Sequence, residues 1–139
     1  MRTVMVLKSN PLISRLLELE LPPDDFAVFG SGPLMARGWR ESRDLDIVAR
    51  GAAWEKAKKV GVESYTSDGA VKYVIGPIEV FDSWAPGQWD VNGLIDGAEM
   101  IDGVRFASLD NVIKWKRLMG RPKDLEDIKL IEERMAAKK

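Results

Sequence analysis

The feature that most constrains the fold is the alternation of strand-length apolar runs with helical patterns along a chain of 139 residues. Short apolar runs predict buried strands, whereas apolar residues spaced three and four apart predict amphipathic helices. The predicted strands cover residues 26–29, 45–49, 71–75, 78–84 and a hairpin at 100–106. The predicted helices cover residues 11–20, 33–39, 52–60, 109–119 and the region from 122 onward. This order predicts one α+β domain over residues 1–139, with a mixed β-sheet, helices packed on it and two C-terminal helices.

The chain contains neither Cys nor His, and this limits its chemistry. Disulfides, thiolate metal sites and imidazole bases are excluded, so catalytic groups and metal ligands must come from oxygen- and amine-bearing side chains. Oxygen ligands favour Mg²⁺ or Mn²⁺ over Zn²⁺. No apolar run approaches the length of a membrane span, and apolar residues 1–7 are too short for a signal peptide. We therefore expect a cytoplasmic protein that has no membrane partner.

Two acids flank the start of the second predicted strand, in the segment Asp44-Leu45-Asp46-Ile47-Val48. Side chains alternate along a strand, so Asp44 and Asp46 project from one face while Leu45 and Ile47 enter the core. The two Cα atoms then lie about 6.6 Å apart, and like charges held this close repel unless a cation lies between them. The pair indicates a divalent-metal site; a solvated strand end is the alternative.

The first predicted strand leads directly into Gly30-Ser31 and a short helix. Backbone N–H groups and a hydroxyl at such a turn suit an anion, because a helix N-terminus favours negative charge. A plain tight turn is the alternative. The combination of Gly30-Ser31, a helix-sized gap and the strand of Asp44 and Asp46 resembles the nucleotidyltransferase superfamily. That superfamily includes DNA polymerase β, the kanamycin nucleotidyltransferases and the minimal nucleotidyltransferases of toxin–antitoxin systems. The resemblance implies a polymerase β-like nucleotidyltransferase fold.

The resemblance also implies a third carboxylate on a neighbouring strand, and Glu79 and Asp82 are the two candidates. Period-2 alternation puts them on opposite faces, so without a bulge only one of them can join the pair. Glu79 lies between apolar Ile78 and Val80, whose side chains are expected on the opposite face, and this favours Glu79. Asp82 remains the alternative. Because the family usually carries Asp at this position, Glu79 is a departure from its pattern.

The C-terminal region supplies positive charge in a stretch that contains no acid. Its basic residues are Lys114, Lys116, Arg117, Arg121 and Lys123. With Asp124 and Asp127, this region is similar to the end of the abortive-infection toxin branch. The similarity implies that Lys116 contacts nucleotide phosphates and that Arg121, Lys123 and Asp124 lie nearby. As an exposed helix residue that serves the polyphosphate, Lys116 is expected to contribute little to stability, within about 0.5 kcal/mol. In the alternative, Lys116 is only a solvated helix residue, and both acids are first-turn residues favoured by the helix dipole.

The resemblance implies a metal-dependent enzyme that moves an NMP group from an NTP to an acceptor hydroxyl and releases pyrophosphate. Mg²⁺ is the expected cofactor, with Mn²⁺ as a substitute. The acceptor can be tRNA, a protein or a small molecule, and a partner protein from a toxin–antitoxin system is implied as well. The alternative is a catalytically weak or inactive nucleotide-binding module, such as one half of a toxin–antitoxin pair. Trp84 and Trp89 are candidates for stacking on a base, although packing is the default role of Trp.

Overall fold

The structure, a computed structural model, describes residues 10–137; the apolar residues 1–7 lie outside this range. Over the described residues, seven strands form one mixed sheet with helices on both faces. The strands are β1 (Phe26–Phe29), β2 (Leu45–Ala49), β3 (Val62–Tyr65), β4 (Val71–Ile75), β5 (Ile78–Phe81), β6 (Glu99–Ile101) and β7 (Val104–Phe106). The helices are α1 (Pro11–Glu18), α2 (Gly32–Ala36), α3 (Gly51–Val60), α4 (Val91–Asp96), α5 (Leu109–Met119) and α6 (Pro122–Ala137), with a 3₁₀ turn at Pro23–Asp25. The predicted α+β class with a mixed sheet is confirmed.

The strand order β3-β4-β5-β2-β1-β7-β6 places β2 between β5 and β1. Strand β2 runs antiparallel to β1 and parallel to β5. The end of β1 therefore meets the beginnings of β2 and β5 at one edge of the sheet. In this register Asp46 is paired with Phe29 on one side and with Glu79 on the other.

The sheet separates two apolar clusters. On one face, helices α1 and α3 contribute Ile13, Leu16, Ala53 and Ala57 to the first cluster. On the other face, helices α4, α5 and α6 contribute Leu94, Val112 and Ile131 to the second cluster. In β2, Ile47 packs in the first cluster and Val48 in the second. Because side chains two residues apart share a face, Asp46 lies on the same face as Val48, which is the side of α5 and α6.

Local sequence signals account for most of the element boundaries. The side chain of Asn10 accepts hydrogen bonds from the backbone N–H groups of Leu12 (2.9 Å) and Ile13 (3.3 Å), so it caps α1 as a helix-start residue should. Two elements had no clear signal: β3, which is a mostly exposed edge strand, and α4, which contains Gly93. Strand β5 ends at Phe81 rather than at residue 84. None of the helices within residues 10–137 is long and apolar enough to cross a membrane.

Candidate functional site

A cavity of about 700 Å³ opens at the edge of the sheet where β1 ends and β2 and β5 begin. Eight of the nine residues that the sequence singled out for the site lie in its wall: Gly30, Ser31, Asp44, Asp46, Glu79, Lys116, Arg121 and Lys123. The ninth, Asp124, is fully buried behind this wall. The fold thus brings together residues that are up to 93 positions apart, from Gly30 to Lys123.

Three carboxylates of the wall come from the two central strands and from the residue directly before β2. Asp46 and Glu79 are register partners on β2 and β5, and Asp44 is an exposed residue directly before β2. We call Asp44, Asp46 and Glu79 the sheet carboxylates. Gly30 is required beside them, because it has a φ of +64° and a Cβ at this position would lie 3.0 Å from Oδ2 of Asp46. Any other residue at position 30 would crowd this carboxylate.

The sheet carboxylates carry an excess of negative charge. Burial, together with the charges of Glu79 and Asp44, raises the pKa of Asp46 from its ordinary value of 3.8 to about 6, against the opposing effect of Lys72. The Nζ atom of Lys72 lies 2.9 Å from Oε1 of Glu79. One lysine therefore partly offsets three carboxylates, and Asp46 remains in an environment that disfavours its charged form.

The oxygen atoms of the sheet carboxylates are suitable ligands for a divalent cation, but they do not surround a common point. Within the described residues, no group of three or more Asp, Glu, His or Cys side chains is arranged to hold a metal ion. Glu79 is instead turned to Lys72. Oxygen-only ligands suit Mg²⁺ or Mn²⁺, and a cation would relieve the repulsion that acts on Asp46. The three carboxylates therefore fit a divalent cation if Glu79 releases Lys72 and binds the cation instead.

Across the cavity, Lys116 belongs to a buried ion-pair network. Its side chain is 3% exposed, and its Nζ atom lies 3.0 Å from Oδ2 of Asp127 and 3.7 Å from Oδ1 of Asp124. The alternative that Lys116 is a solvated helix residue is therefore wrong. Our expectation that Lys116 contributes little to stability also loses its basis, because that expectation assumed an exposed side chain. The i, i+3 and i+4 spacing from Val112 through Trp115 to Lys116 turns all three into the interface between α5 and the rest of the domain, where they are buried.

Two arginines complete this network, and we call it the helix network: Lys116, Asp124 and Asp127 with Arg40 and Arg121. Arg121 donates from Nε to Oδ2 of Asp124 at 2.6 Å, and its backbone N–H donates to the same oxygen. Burial alone would raise the pKa of Asp124, but these hydrogen bonds and the nearby positive charges lower it below the ordinary value. Arg40 contacts Oδ1 of Asp127 at 2.5 Å. Asp124 therefore positions Arg121 and does not itself face the cavity.

The five basic residues that looked equivalent in the sequence have different surroundings. Lys116, Arg121 and Lys123 line the cavity, and Lys123 is exposed. Lys114 and Arg117 instead line a separate groove between α5 and α6, where Arg117 pairs with Glu132 at 3.1 Å. Only part of the basic stretch can therefore contact a ligand in this cavity.

Sequence reasoning missed Lys72, which lines the cavity and pairs with Glu79. A signal existed. The tight turn between β4 and β5 pairs Val74 with Glu79, so Lys72, two residues away from Val74, lies diagonally across from Glu79 on the same face. Asp82, the other candidate for the third carboxylate, is exposed and lies outside the cavity wall.

The wall of this cavity combines cationic side chains with a cluster of carboxylates. Its cationic side chains come from the C-terminal helical region, from the loop before β2 and from β4. Its carboxylates come from β2, from β5, from the loop before β2 and, through Asp127, from α6. Comparison of the chain with protein families, with curated proteins and with solved structures finds no match. The chemistry of the site must therefore be interpreted from its own residues.

Proposed function

We propose that this protein is a metal-dependent nucleotidyltransferase, which moves an NMP group from an NTP to an acceptor hydroxyl and releases pyrophosphate. The observation that carries the proposal is one cavity with two kinds of wall: the sheet carboxylates on one side and Lys116, Arg121 and Lys123 on the other. Phosphoryl transfer asks a protein mainly for positioning and for neutralisation of the phosphate charge. These two walls supply both requirements.

In this proposal, the carboxylates of β2 and β5 bind the metal ion that contacts the reacting phosphate. Asp44, Asp46 and Glu79 would hold Mg²⁺ or Mn²⁺, which when bound supplies neutralisation of the charge that develops on the phosphate oxygens. Gly30 and Ser31 line the same cavity at the end of β1, where the backbone and the hydroxyl can donate hydrogen bonds to phosphate oxygens. The Ser31 hydroxyl makes no capping hydrogen bond to α2. Capping of this helix therefore does not compete with a hydrogen bond from Ser31 to a phosphate oxygen.

The polyphosphate would lie against the cationic wall. Lys123 and Arg43 are exposed in the cavity and can follow the phosphates, whereas Lys116 and Arg121 are held in place by the helix network. The acceptor oxygen forms a bond to the α-phosphorus, and the bond from this phosphorus to the oxygen that bridges to the β-phosphate breaks. Pyrophosphate leaves with that oxygen, and the hydroxyl proton passes to a carboxylate or to solvent.

A nucleotide-binding module without turnover, including one half of a toxin–antitoxin pair, is the second candidate. The observation in its favour is the ion pair between Lys72 and Glu79, which occupies the third carboxylate. A module of this kind would bind magnesium–NTP at the same cavity, but it would release no pyrophosphate. A partner protein from a toxin–antitoxin system is compatible with either candidate.

The test is incubation of the full chain with each labelled NTP and Mg²⁺, with tRNA, the protein itself and small alcohols as acceptors. The enzyme proposal expects pyrophosphate and a labelled acceptor, and the binding-module proposal expects saturable NTP binding without pyrophosphate. The double variant Asp44→Asn with Asp46→Asn should lose magnesium-dependent NTP binding while it stays folded. If this variant binds magnesium–NTP as the parent does, the proposed site is wrong.

A further inference from the structure

A second, smaller cavity of about 200 Å³ lies beside the first, and Asp46, Glu79 and Trp115 line both. The rest of its wall comes from the turn between β3 and β4 and from the segment that begins at the end of β5. Among the described residues in this wall, none is a Lys or an Arg. The two cavities therefore meet at two of the sheet carboxylates, and the cationic wall belongs to the first cavity alone.

The distribution of charge indicates which part of the proposed reaction each cavity suits. In phosphoryl transfer the attacking and leaving oxygens lie roughly in line, on opposite sides of the phosphorus. The leaving pyrophosphate needs the cations of the first cavity. When the α-phosphorus lies at the sheet carboxylates, an attacking hydroxyl has to come from the side that lacks cations, and the second cavity is that side. The hydroxyl groups in its wall are therefore candidates for the acceptor.

Two hydroxyl side chains line the second cavity, those of Thr66 and Ser83. Ser83 is exposed, whereas Thr66 is half-buried. The Thr66 hydroxyl donates a hydrogen bond to the carboxylate of Asp68 and accepts one from the backbone N–H of Ala70 at 2.9 Å. A hydroxyl oxygen has two lone pairs, so one of them stays available for attack on a phosphorus atom. Thr66 is therefore an oriented hydroxyl with a carboxylate already in contact.

Strand pairing places Thr66 on the same face of the sheet as the sheet carboxylates. Ser64 is paired with Lys72 in the register of β3 and β4, and Lys72 contacts Glu79 along this face. Because side chains two residues apart share a face, Thr66 lies on the face of Ser64. The backbone N–H of Thr66 donates to the carbonyl oxygen of Ala70 at 2.8 Å, so the pairing of the two strands continues to this residue. The position of Thr66 beside the carboxylates therefore follows from the sheet.

Asp68 supplies the group that an alcohol nucleophile needs. A Thr hydroxyl is a weak nucleophile unless a neighbouring base takes its proton. The hydrogen bond from Thr66 lowers the pKa of Asp68 below its ordinary value of 3.8, so this carboxylate is ionised at neutral pH. It also lies within hydrogen-bonding reach of the proton that it would remove, which is the geometric condition for a general base. Thr66 and Asp68 thus combine a nucleophile with its base.

We infer that this protein modifies itself, and that the acceptor of its nucleotidyl transfer is the hydroxyl of Thr66 in the same chain. The Thr66 oxygen forms a bond to the α-phosphorus of the NTP, and the bond from this phosphorus to the oxygen that bridges to the β-phosphate breaks. The hydroxyl proton passes to Asp68, and pyrophosphate leaves. The product is a phosphodiester between Thr66 and the nucleoside. Because the hydroxyl is consumed, each chain takes up one NMP. The inference rests on the proposed function and names its acceptor.

The experiment is incubation of the full chain with Mg²⁺ and each NTP labelled in its α-phosphate, without an added acceptor, followed by mass spectrometry of the intact chain and of its peptides. The parent should carry one NMP, on the peptide that contains Thr66, and its labelling rate constant should not depend on protein concentration. Thr66→Val should carry no label, whereas Thr66→Ser, which keeps a hydroxyl, should carry it. Asp68→Asn should slow the labelling on the order of 100-fold, the effect of a lost general base. The matched control is Ser67→Ala, because Ser67 is an exposed neighbour that does not line the cavity, and it should be labelled like the parent.

Label on another residue, or label that persists in Thr66→Val, overturns the inference. A labelling rate constant that increases with protein concentration overturns it as well, because transfer would then occur between chains. Loss of both label and magnesium–NTP binding in Thr66→Val and Thr66→Ser alike would give Thr66 a structural role and contradict the inference. If the parent releases pyrophosphate with an added acceptor but never carries label itself, the inference is overturned while the proposed function stands. If no NTP yields pyrophosphate with any acceptor and the chain stays unlabelled, the proposed function fails and the inference fails with it.

Discussion

Two charged clusters face the same cavity, and they differ in how their charges are compensated. In the helix network, two buried aspartates are matched by Lys116, Arg40 and Arg121 at 2.5–3.7 Å. Among the sheet carboxylates, Lys72 pairs with Glu79, and its charge offsets that of Asp46 only in part. The consequence is opposite for one aspartate of each cluster: the pKa of Asp124 is lowered, whereas that of Asp46 is raised.

The difference indicates that the helix network is a structural cluster, whereas the sheet carboxylates are suited to bind a ligand. A charge that is already paired and hydrogen-bonded has little to gain from a ligand, and it costs stability when one partner is removed. A charge that is repelled by its neighbours is stabilised by an incoming cation. We therefore expect changes in the helix network to affect stability first, and changes in the sheet carboxylates to affect ligand binding and the pH dependence of stability.

The largest effect is expected for Lys116→Met. Removal of Lys116 leaves Asp127 and Asp124 buried with less positive charge, which should lower the free energy of unfolding by about 3–4 kcal/mol. Urea denaturation at pH 7 measures this loss. Arg117→Met is the control on the same helix, because its pair with Glu132 is exposed and should contribute less than about 1 kcal/mol. Equal, small losses for both variants would mean that the helix network is not a structural cluster.

Asp46→Asn should stabilise the protein at high pH. A carboxyl group whose pKa is about 6 when folded and 3.8 when unfolded binds its proton more tightly in the folded state. It therefore costs stability progressively as the pH rises from about 4 to 6, and the cost is fully present above 6. Two pKa units correspond to about 3 kcal/mol, which partial exposure reduces to roughly 2 kcal/mol.

Urea denaturation of Asp46→Asn at pH 4 and pH 8, with a chelator present, measures this prediction. The variant should exceed the parent in stability at pH 8, and the difference should disappear toward pH 4. Asp82→Asn is the control, because Asp82 is exposed and lies outside the cavity wall. A stability gain for Asp46→Asn that is the same at both pH values would contradict the proposed repulsion among the sheet carboxylates.

Lys123→Ala should weaken binding of magnesium–NTP about tenfold without a change in stability. Lys123 is exposed at the cavity, and a charge-assisted contact with phosphate contributes about 1.5 kcal/mol or more. Lys129→Ala is the control, because Lys129 is an exposed residue of the same helix that does not line the cavity. Calorimetric titration compares the two variants, and equal affinities would remove Lys123 from the proposed phosphate site.

The smallest effect is expected for Lys72→Met. Because Lys72 and a cation compete for Glu79, its removal should lower the Mg²⁺ concentration needed for half-maximal NTP binding by about threefold. Titration of Mg²⁺ at a fixed NTP concentration measures the change, and Lys59→Met, which lies on the exposed side of α3, is the control. A higher requirement for Mg²⁺ would show that Lys72 serves the nucleotide instead of competing with the cation.

The sequence by itself determined the local features of the site. Alternation along residues 44–48 was enough to put Leu45 and Ile47 in the core, and both are fully buried. The tight turn before β5 similarly fixed the hairpin of β4 and β5, in which Ile75 is paired with Ile78. Ser108 and Gly120 fixed the two ends of α5. Each of these features depends on residues within a few positions of one another, so a local pattern is sufficient to predict it.

The tertiary structure alone decided which charges are paired. Lys114 and Lys116 are two residues apart on one helix, yet Lys114 is exposed beside Trp89 and Lys116 is buried with Asp127. Helical spacing puts Lys116 on the same side of α5 as Val112 and Trp115, but the presence of Asp127 beside it depends on how α6 packs against α5. The same holds for β3, which is a strand because it pairs with β4, and for Lys72 beside Glu79. Long-range pairing sets the electrostatics of this site, and a charge acquires its role from neighbours that are distant in the sequence.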